Sequence, residues 1–454
     1  MGVKSGELLR IVGAIYGLTN APRIFWRDAS LKLKEIGAIQ NPVDRCVWLF
    51  KNSKGHVCGR IGSQVDDFLF GGNINDPAWI QIRDKLKTMY RWSPWQKGEF
   101  QFSGCKLTQT MTFSIHVSQE DFCNSLRPVE IQNGGARSDS DPLTAQETSQ
   151  ARALLMKGQW RALQSAPQFC ARIGLASSAV SKPTVGLLKE ANSIVKDMRK
   201  TAKEDIVFRS FNYFRKKGQQ LGYTDLVFLS WGDASHKNRP NNFSTGGLVI
   251  GVSAPEILSG KETPVSLLDW RSWKLRRVAA GSNGSEGQAV CEAEDKGWKA
   301  RLLWAMMYGN ILNRSNADFL TSLVLSFLVM DSRGVYDALT GTETPGLSME
   351  NSKSSVDILS TSQGLEEHMN SHPAWVPGNL NLADALTKHS AEAWKTMAMY
   401  HVKKSWILKF NDEFVSARKQ AKLKKQKEQE CQNIFPDEWF EDPFEIRFGT
   451  DLIR

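Results

Sequence analysis

Six acidic residues in this chain stand where a carboxylate calls for a physical reason. The stretch SQVDDFLFGG, residues 63 to 72, places Asp66 and Asp67 side by side in a run that otherwise reads as a buried strand. Neighbouring side chains on a strand point to opposite faces, so such a pair shares a ligand only at a turn or a strand end. Two carboxylates aimed at one spot repel unless a cation or a proton lies between them. The pair therefore reads as a divalent metal site or as a solvent-facing turn. Further along, Asp233 in SWGDAS, Glu286 in GSEGQAV, Asp331 in VMDSRG and Asp384 in NLADALTK each fall where a strand ends or a helix begins. Sites in open α/β sheets gather at strand ends, so these four can converge although they are far apart in sequence. Taken singly, each reads as a helix cap or a turn residue.

The patterning around these acids predicts the elements that carry them. APRIFWRDASLKLKEIGAI, from residue 21, has helical spacing behind an early proline. RCVWLFKNSKGHVCGRIGSQVDDFLFGG predicts two hairpins, the second turning at the Asp pair. A helix is predicted at DPAWIQIRDKLKTMYRW with Asp76 as N-cap and Pro77 at its first position, and strands at GEFQFSGCKLTQTMTFSIHVS. Residues 127 to 141 read as a linker or exposed loop, and residues 142 to 220 as mainly helical. Between 223 and 405 three strands, DLVFLSWGDAS, STGGLVIGV and PVSLLDWRSWKL, precede the long helix SEGQAVCEAEDKGWKARLLWAMMYG. LVLSFLVMD then reads as a strand buried on both faces. Three strands, a helix, and strand-helix alternation imply a mixed α/β fold, with a mixed sheet covered by helices.

Length and composition set outer bounds. A chain of 454 residues is long enough for about two to four domains. Its 58 Lys and Arg against 48 Asp and Glu give a net charge of +10, which favours a polyanionic partner, nucleic acid ahead of an acidic membrane surface. The seven cysteines are scattered without CxxC spacing, which argues against a disulfide framework or a zinc knuckle and fits a reducing compartment. The N-terminus lacks a signal pattern, and the longest apolar run, FLTSLVLSFLVM, is short and hydroxyl-rich for a bilayer span. The expectation is an intracellular protein, cytoplasmic or nuclear, with no membrane partner and an oligomeric state left open. After residue 406, the basic run RKQAKLKKQKEQE and the acidic, aromatic FPDEWFEDPFE read as a charged tail, either solvated or touching nucleic acid.

Several blocks, taken in order, resemble the reverse transcriptase and ribonuclease H parts of copia-type retrotransposon Pol polyproteins. AIYGLTNAPRIFW is similar to the family's LYGLKQAPRAW segment, QVDD to its YVDD hairpin, and GEFQFSGCKL to GELKYFLGI. NNFSTGG, DWRSWKLRRVA, MDSRGVYDAL and WVPGNLNLADALTK follow in the order of the family's RNase H domain. The resemblance implies four regions: a partial reverse-transcriptase palm over 1–126, a linker and helical thumb or connection over 127–222, an RNase H-like domain over 223–405, and the tail over 406–454.

By that resemblance, Asp66 and Asp67 correspond to the second and third carboxylates of a polymerase palm. The first belongs to a strand ahead of YGL, where roughly fourteen residues precede with Glu7 as their one acid. Gln64 also replaces the family's Tyr, so polymerase activity is expected to be lost in this chain. Asp233, Glu286, Asp331 and Asp384 would be the D-E-D-D set of a ribonuclease H, catalytic and metal-binding at once. They would hold two Mg²⁺ ions, with Mn²⁺ as a possible substitute, and cleave the RNA strand of an RNA/DNA hybrid. The alternative is a decayed retroelement relic that binds nucleic acid without cutting it. The family's SSTEAEY is NGSEGQA here, which leaves Glu292 and Glu294 as substitutes for Glu286. WVPGNLNLAD lacks the His that many cellular RNases H carry before the last Asp. Lys274, Arg276, Arg277 and Arg333 are candidates for phosphate contact, each also readable as a solvated or capping residue, and Trp270 and Trp273 for stacking or core.

Overall fold

A computed structural model describes residues 17–133, 136–341, 352–367 and 370–409. Glu7, the first residues of the AIYGLTN block and the charged stretch from residue 410 onward lie outside the described residues. Among the described helices, none is long and apolar enough to cross a membrane.

The first sheet is antiparallel, with strands β1 (Ile39–Gln40), β2 (Val47–Lys51), β3 (Val57–Gln64) and β4 (Asp67–Gly72) in sequential order. Helices α1 (Ala21–Glu35) and α2 (Pro77–Met89) contribute to its core, where Leu33, Trp48, Phe50, Ile61, Trp79 and Leu86 are buried together. Asp76 caps α2 by accepting a hydrogen bond from the Ala78 amide at 2.9 Å, with Pro77 following at the position that needs no donor.

A second antiparallel sheet joins β5 (Glu99–Phe102), β6 (Cys105–Gln109) and β7 (Ile115–Ser118) to β8 (Ile206–Phe208). Between β7 and β8 lie α3 (Glu120–Ser125), α4 (Ala145–Gln164), α5 (Cys170–Ser178) and α6 (Val185–Lys200). The region expected to be mainly helical therefore also supplies an edge strand, and this sheet runs across the expected division near residue 126. Thr144 and Glu147 form a reciprocal capping box at the start of α4.

The third sheet has six strands: β9 (Val227–Ser235), β10 (Thr245–Ser253), β11 (Thr263–Lys274), β12 (Leu325–Met330), β13 (Ser371–Trp375) and β14 (Ser405–Trp406). Their spatial order is β13-β12-β9-β10-β11-β14; β9, β10 and β11 pair antiparallel, while β12 and β13 run parallel to β9. The remaining helices are α7 (Ser282–Met307), α8 (Ala317–Ser322), α9 (Arg333–Thr340), α10 (Ser352–Glu367) and α11 (Ala391–Lys403). Every residue of β10 is buried, as a central strand covered on both faces requires. One face packs Phe228, Leu248 and Ile250 against Val290 and Ala293 of α7. The other shares a core with Leu154, Phe169, Ile173 and Leu188 from the helices between β7 and β8. Trp270, considered at first for stacking on nucleic acid, lies in that core and donates its indole N–H to the Ala162 carbonyl at 2.8 Å.

Gly247 sits directly opposite Asp233 in the β9–β10 pairing. A Cβ there would lie 2.8 Å from Thr387 Cγ2 and 2.9 Å from both the Ala383 carbonyl oxygen and Leu386 Cβ. The absent side chain is what lets the 382–386 turn close over the sheet. Gly247→Ala is expected to destabilise the fold by about 1–3 kcal/mol through overpacking, read as a lower thermal midpoint. Gly62→Ala, whose Cβ meets nothing within 4 Å, should leave the midpoint within experimental scatter.

Candidate metal centre

Three elements of the third sheet deliver three acids to one point. Asp233 lies near the end of β9, a strand buried in eight of its nine residues. Asp331 immediately follows β12, and because Val329 pairs with Trp231 it falls level with Asp233 on the neighbouring strand. Glu286 stands near the start of α7, where its Oε2 accepts from the Ala234 amide at 2.9 Å, so the helix carboxylate is anchored beside Asp233. Each of the three offers an oxygen, and these oxygens lie within 4.8 Å of one another. Among the described residues this is the only such group of three metal-capable side chains.

Polar neighbours fix the acids individually. The buried Asn381 donates from Nδ2 to Asp331 Oδ1 at 2.9 Å and to the Gly232 carbonyl at 3.0 Å, tying the two strand ends together. Trp375 donates to the Asp331 carbonyl at 2.9 Å. Thr387 donates from Oγ1 to Asp233 Oδ2 at 2.5 Å. Asp384, on the 3₁₀ turn Leu382–Leu386, is not part of the three-acid group. Its Oδ1 lies 2.5 Å from Lys388 Nζ, one helical turn later.

Burial is the main reason Asp233, Glu286 and Asp384 resist ionisation. Desolvation, then the charges of Asp331 and Asp384, push Asp233 up to about 7. Glu286 is raised well above the usual carboxylate range by desolvation, then by Asp233 and Asp331. Burial also raises Asp384, against the opposing hydrogen bond from Lys388. Carboxylates this close repel one another unless a cation or a proton lies among them. The donor set is all oxygen, which fits Mg²⁺ or Mn²⁺.

The other candidates lie elsewhere or serve the fold. Glu292 faces Arg271 at 3.1 Å, and neither it nor Glu294 belongs to the acid group. Asp66 and Asp67 are exposed at the β3–β4 turn, where Asp67 Oδ2 accepts from the Ser103 amide at 3.2 Å. Val65 in that turn has φ 55°, a strained conformation for a β-branched residue. Lys274 Nζ sits 3.5 Å from the centroid of the Phe243 ring, Arg277 is paired with Asp357, and Arg333 Nε lies 3.8 Å from Asp337. Arg276 is exposed. Ser332 holds the N-cap position of α9 without making a side-chain cap bond; its hydroxyl lies 3.5 Å from Asn283 Oδ1. Trp273 is half-buried with the Arg271 guanidinium 5.3 Å from its ring centroid. Sequence reasoning missed Asn381, Thr387 and Lys388, at three residues before and three and four after Asp384. Those spacings bring side chains together on one turn, and they were the available signal.

No protein-family model matches this chain, and no curated protein does. Among solved structures it is similar to RNase H1 from the halophilic archaeon Halobacterium salinarum NRC-1, at 18% identity and TM-score 0.23, over 37% of this chain and 98% of that one. It is also similar to a foamy viral protease-reverse transcriptase in complex with an RNA/DNA hybrid, at 13% identity and TM-score 0.23, over 84% of this chain and 62% of that one. Native prototype foamy virus protease-reverse transcriptase gives 11% identity and TM-score 0.23, over 86% and 62%. This chain thus covers 62% of the length of the foamy-virus chains. Its own topology, an antiparallel β11-β10-β9 meander extended by the parallel strands β12 and β13, is an RNase H-like fold.

The raised carboxylates give the metal-free protein a distinctive pH dependence. Native Asp233 holds a proton up to about 7, whereas the unfolded chain releases it near about 3.9. Stability should therefore fall as pH rises through that window and level off above it. In EDTA, Asp233→Asn is expected to stabilise the chain at pH 8 by on the order of 1–3 kcal/mol and to change little near pH 4. Added Mn²⁺ should raise the thermal midpoint of the wild type and not of the variant.

Proposed function

We propose that the chain is a metal-dependent nuclease of the ribonuclease H type, which cleaves the RNA strand of RNA/DNA hybrids. The observation that carries this reading is the convergence of Asp233, Glu286 and Asp331 on adjacent elements of an RNase H-like sheet. A divalent cation, Mg²⁺ or Mn²⁺, would be held by these three carboxylates and would supply a water of lowered pKa and neutralisation of phosphate charge. The residues around them do the positioning. Ala234 orients Glu286, Asn381 orients Asp331, and Thr387 orients Asp233, so the carboxylates are aimed before any substrate arrives. Asp384 completes the acidic surface on the side nearest Lys388. The net charge of +10 supports a nucleic-acid partner, and the 2′-hydroxyl is the group by which such a site tells RNA from DNA.

The relationship we infer is to the Pol polyproteins of copia-type retrotransposons, on the ordered blocks from AIYGLTNAPRIFW to WVPGNLNLADALTK. In this reading the first sheet is a palm remnant without polymerase activity. Asp66 and Asp67 are exposed at the β3–β4 turn, and Gln64 stands where the family has Tyr. Purified chain is expected to give no primer extension on an RNA template.

The deciding experiment is cleavage of an end-labelled RNA/DNA hybrid with Mg²⁺, beside Asp233→Asn. Loss of the cation site removes several kcal/mol of charge stabilisation, so the variant should be slower by about a hundredfold or more. A folded wild-type chain that binds the hybrid, with affinity falling as salt rises, but leaves it intact would replace the nuclease with a nucleic-acid-binding relic.

A further inference from the structure

Among the described residues, Lys388 stands directly against one of these acids. Its Nζ lies 2.5 Å from Asp384 Oδ1, on a side chain 47% exposed, while the Asp384 side chain is 12% exposed. The preceding residue, Thr387, is pinned to Asp233 at 2.5 Å, which holds the start of the Lys388 backbone beside the three-acid group. Asp384, the acid that touches Lys388, is also the one whose oxygens fall outside the 4.8 Å cluster. The four acids are thus divided in two: three open to a shared ion, and one already partnered.

We propose that Lys388 is the resident cation of the Asp384 side of the site and that it limits the free chain to one bound divalent ion, held by Asp233, Glu286 and Asp331. The proposal rests on the metal reading given above and adds the number of ions and the residue that sets it. A buried carboxylate with an ammonium at hydrogen-bond distance has its charge already offset, so a second dication there must displace the lysine before it gains a ligand. Without the lysine, Asp384 would be an unpartnered buried carboxylate next to Asp233, which is the arrangement that draws a cation. The fields of Asp233 and Asp331 reach Lys388 as well, so its ammonium offsets charge across the site and not only on Asp384. Lysine suits this role because its compact charge sits on a flexible stem that solvent can reach.

The test counts ions without reference to turnover. Mn²⁺ is titrated into the full chain at pH 8 without nucleic acid, and free Mn²⁺ is followed by its electron paramagnetic resonance signal. The wild type should bind one ion at high affinity and Lys388→Arg also one, whereas Lys388→Met and Lys388→Gln should each bind two. Because Lys388 is half-exposed, both neutral variants are expected to keep the wild-type circular dichroism spectrum. Two ions in the wild type, or a single ion in both neutral variants with the fold intact, would overturn the proposal and leave the nuclease reading standing. If the wild type binds no Mn²⁺, or binds it as well after Asp233→Asn, the nuclease reading falls and the proposal with it. Hybrid cleavage, measured separately, then separates a failed ion count from a failed enzyme.

Discussion

Asp233 is a carboxylate on a strand covered on both faces, with two more carboxylates within 4.8 Å, and the rest of the site is arranged around that conflict. Burial disfavours its charge and the neighbours disfavour it further, so the folded chain either keeps a proton there or takes a cation. Such a contact survives only if the surrounding structure prevents the acids from moving apart. Here the restraints are the β9–β12 pairing, the Ala234 amide on Glu286, and the Asn381 side chain that joins Asp331 to the Gly232 carbonyl. The last two place a hydrogen bond on the acid itself, which offsets part of the desolvation while fixing direction.

The scaffold explains why those restraints hold. α7 packs close to β9, since a Cβ at Gly232 would approach the Val290 Cα at 3.0 Å, and this brings the start of the helix within reach of Ala234. On the opposite face the 382–386 turn lies over Gly247, and Thr387 just after it reaches Asp233. The helices between β7 and β8 extend the core beneath that turn, with Phe169 against Trp394 of α11 at 5.1 Å between ring centroids. The turn that carries the fourth acid is therefore backed by residues distant in sequence. The helices between β7 and β8 therefore support that turn alongside the sheet.

Legibility in the sequence followed the range of the forces involved. Continuous apolar runs such as LVLSFLVM marked the buried strands, and the order of strands and helices implied the mixed sheet. Proline and aspartate at the start of α2 marked its beginning residue by residue. The short strand β8 was missed because three residues carry little periodicity and pairing with β7, ninety residues away, decides their conformation. Asp233, Glu286, Asp331 and Asp384 were singled out from position and resemblance, and the local sign that set the last apart was the i, i+4 spacing of Asp384 and Lys388. That division depends on which oxygen a lysine reaches, a side-chain choice made only after the turn has closed.

The first sheet adds a constraint at the far end of the same helix. Lys51 Nζ donates to the Gly309 carbonyl and Arg60 Nε to the Met307 carbonyl, both at 2.8 Å, and the Arg60 guanidinium lies over the Tyr308 ring. These cations meet the last carbonyl of α7 and one just beyond its C-cap, where the helix dipole is negative and unpaired acceptors remain. Glu286 stands near the other end of α7, where the dipole favours negative charge. One helix of 26 residues, about 39 Å long, thus carries an acid of the site at its start and a docking point for the first sheet at its end. Two of the basic residues in the hairpins that end at Asp66 and Asp67 are spent on this contact, so that sheet's charge works first on holding α7 in place. Positioning the end of α7 is thus a structural role of the first sheet in this fold.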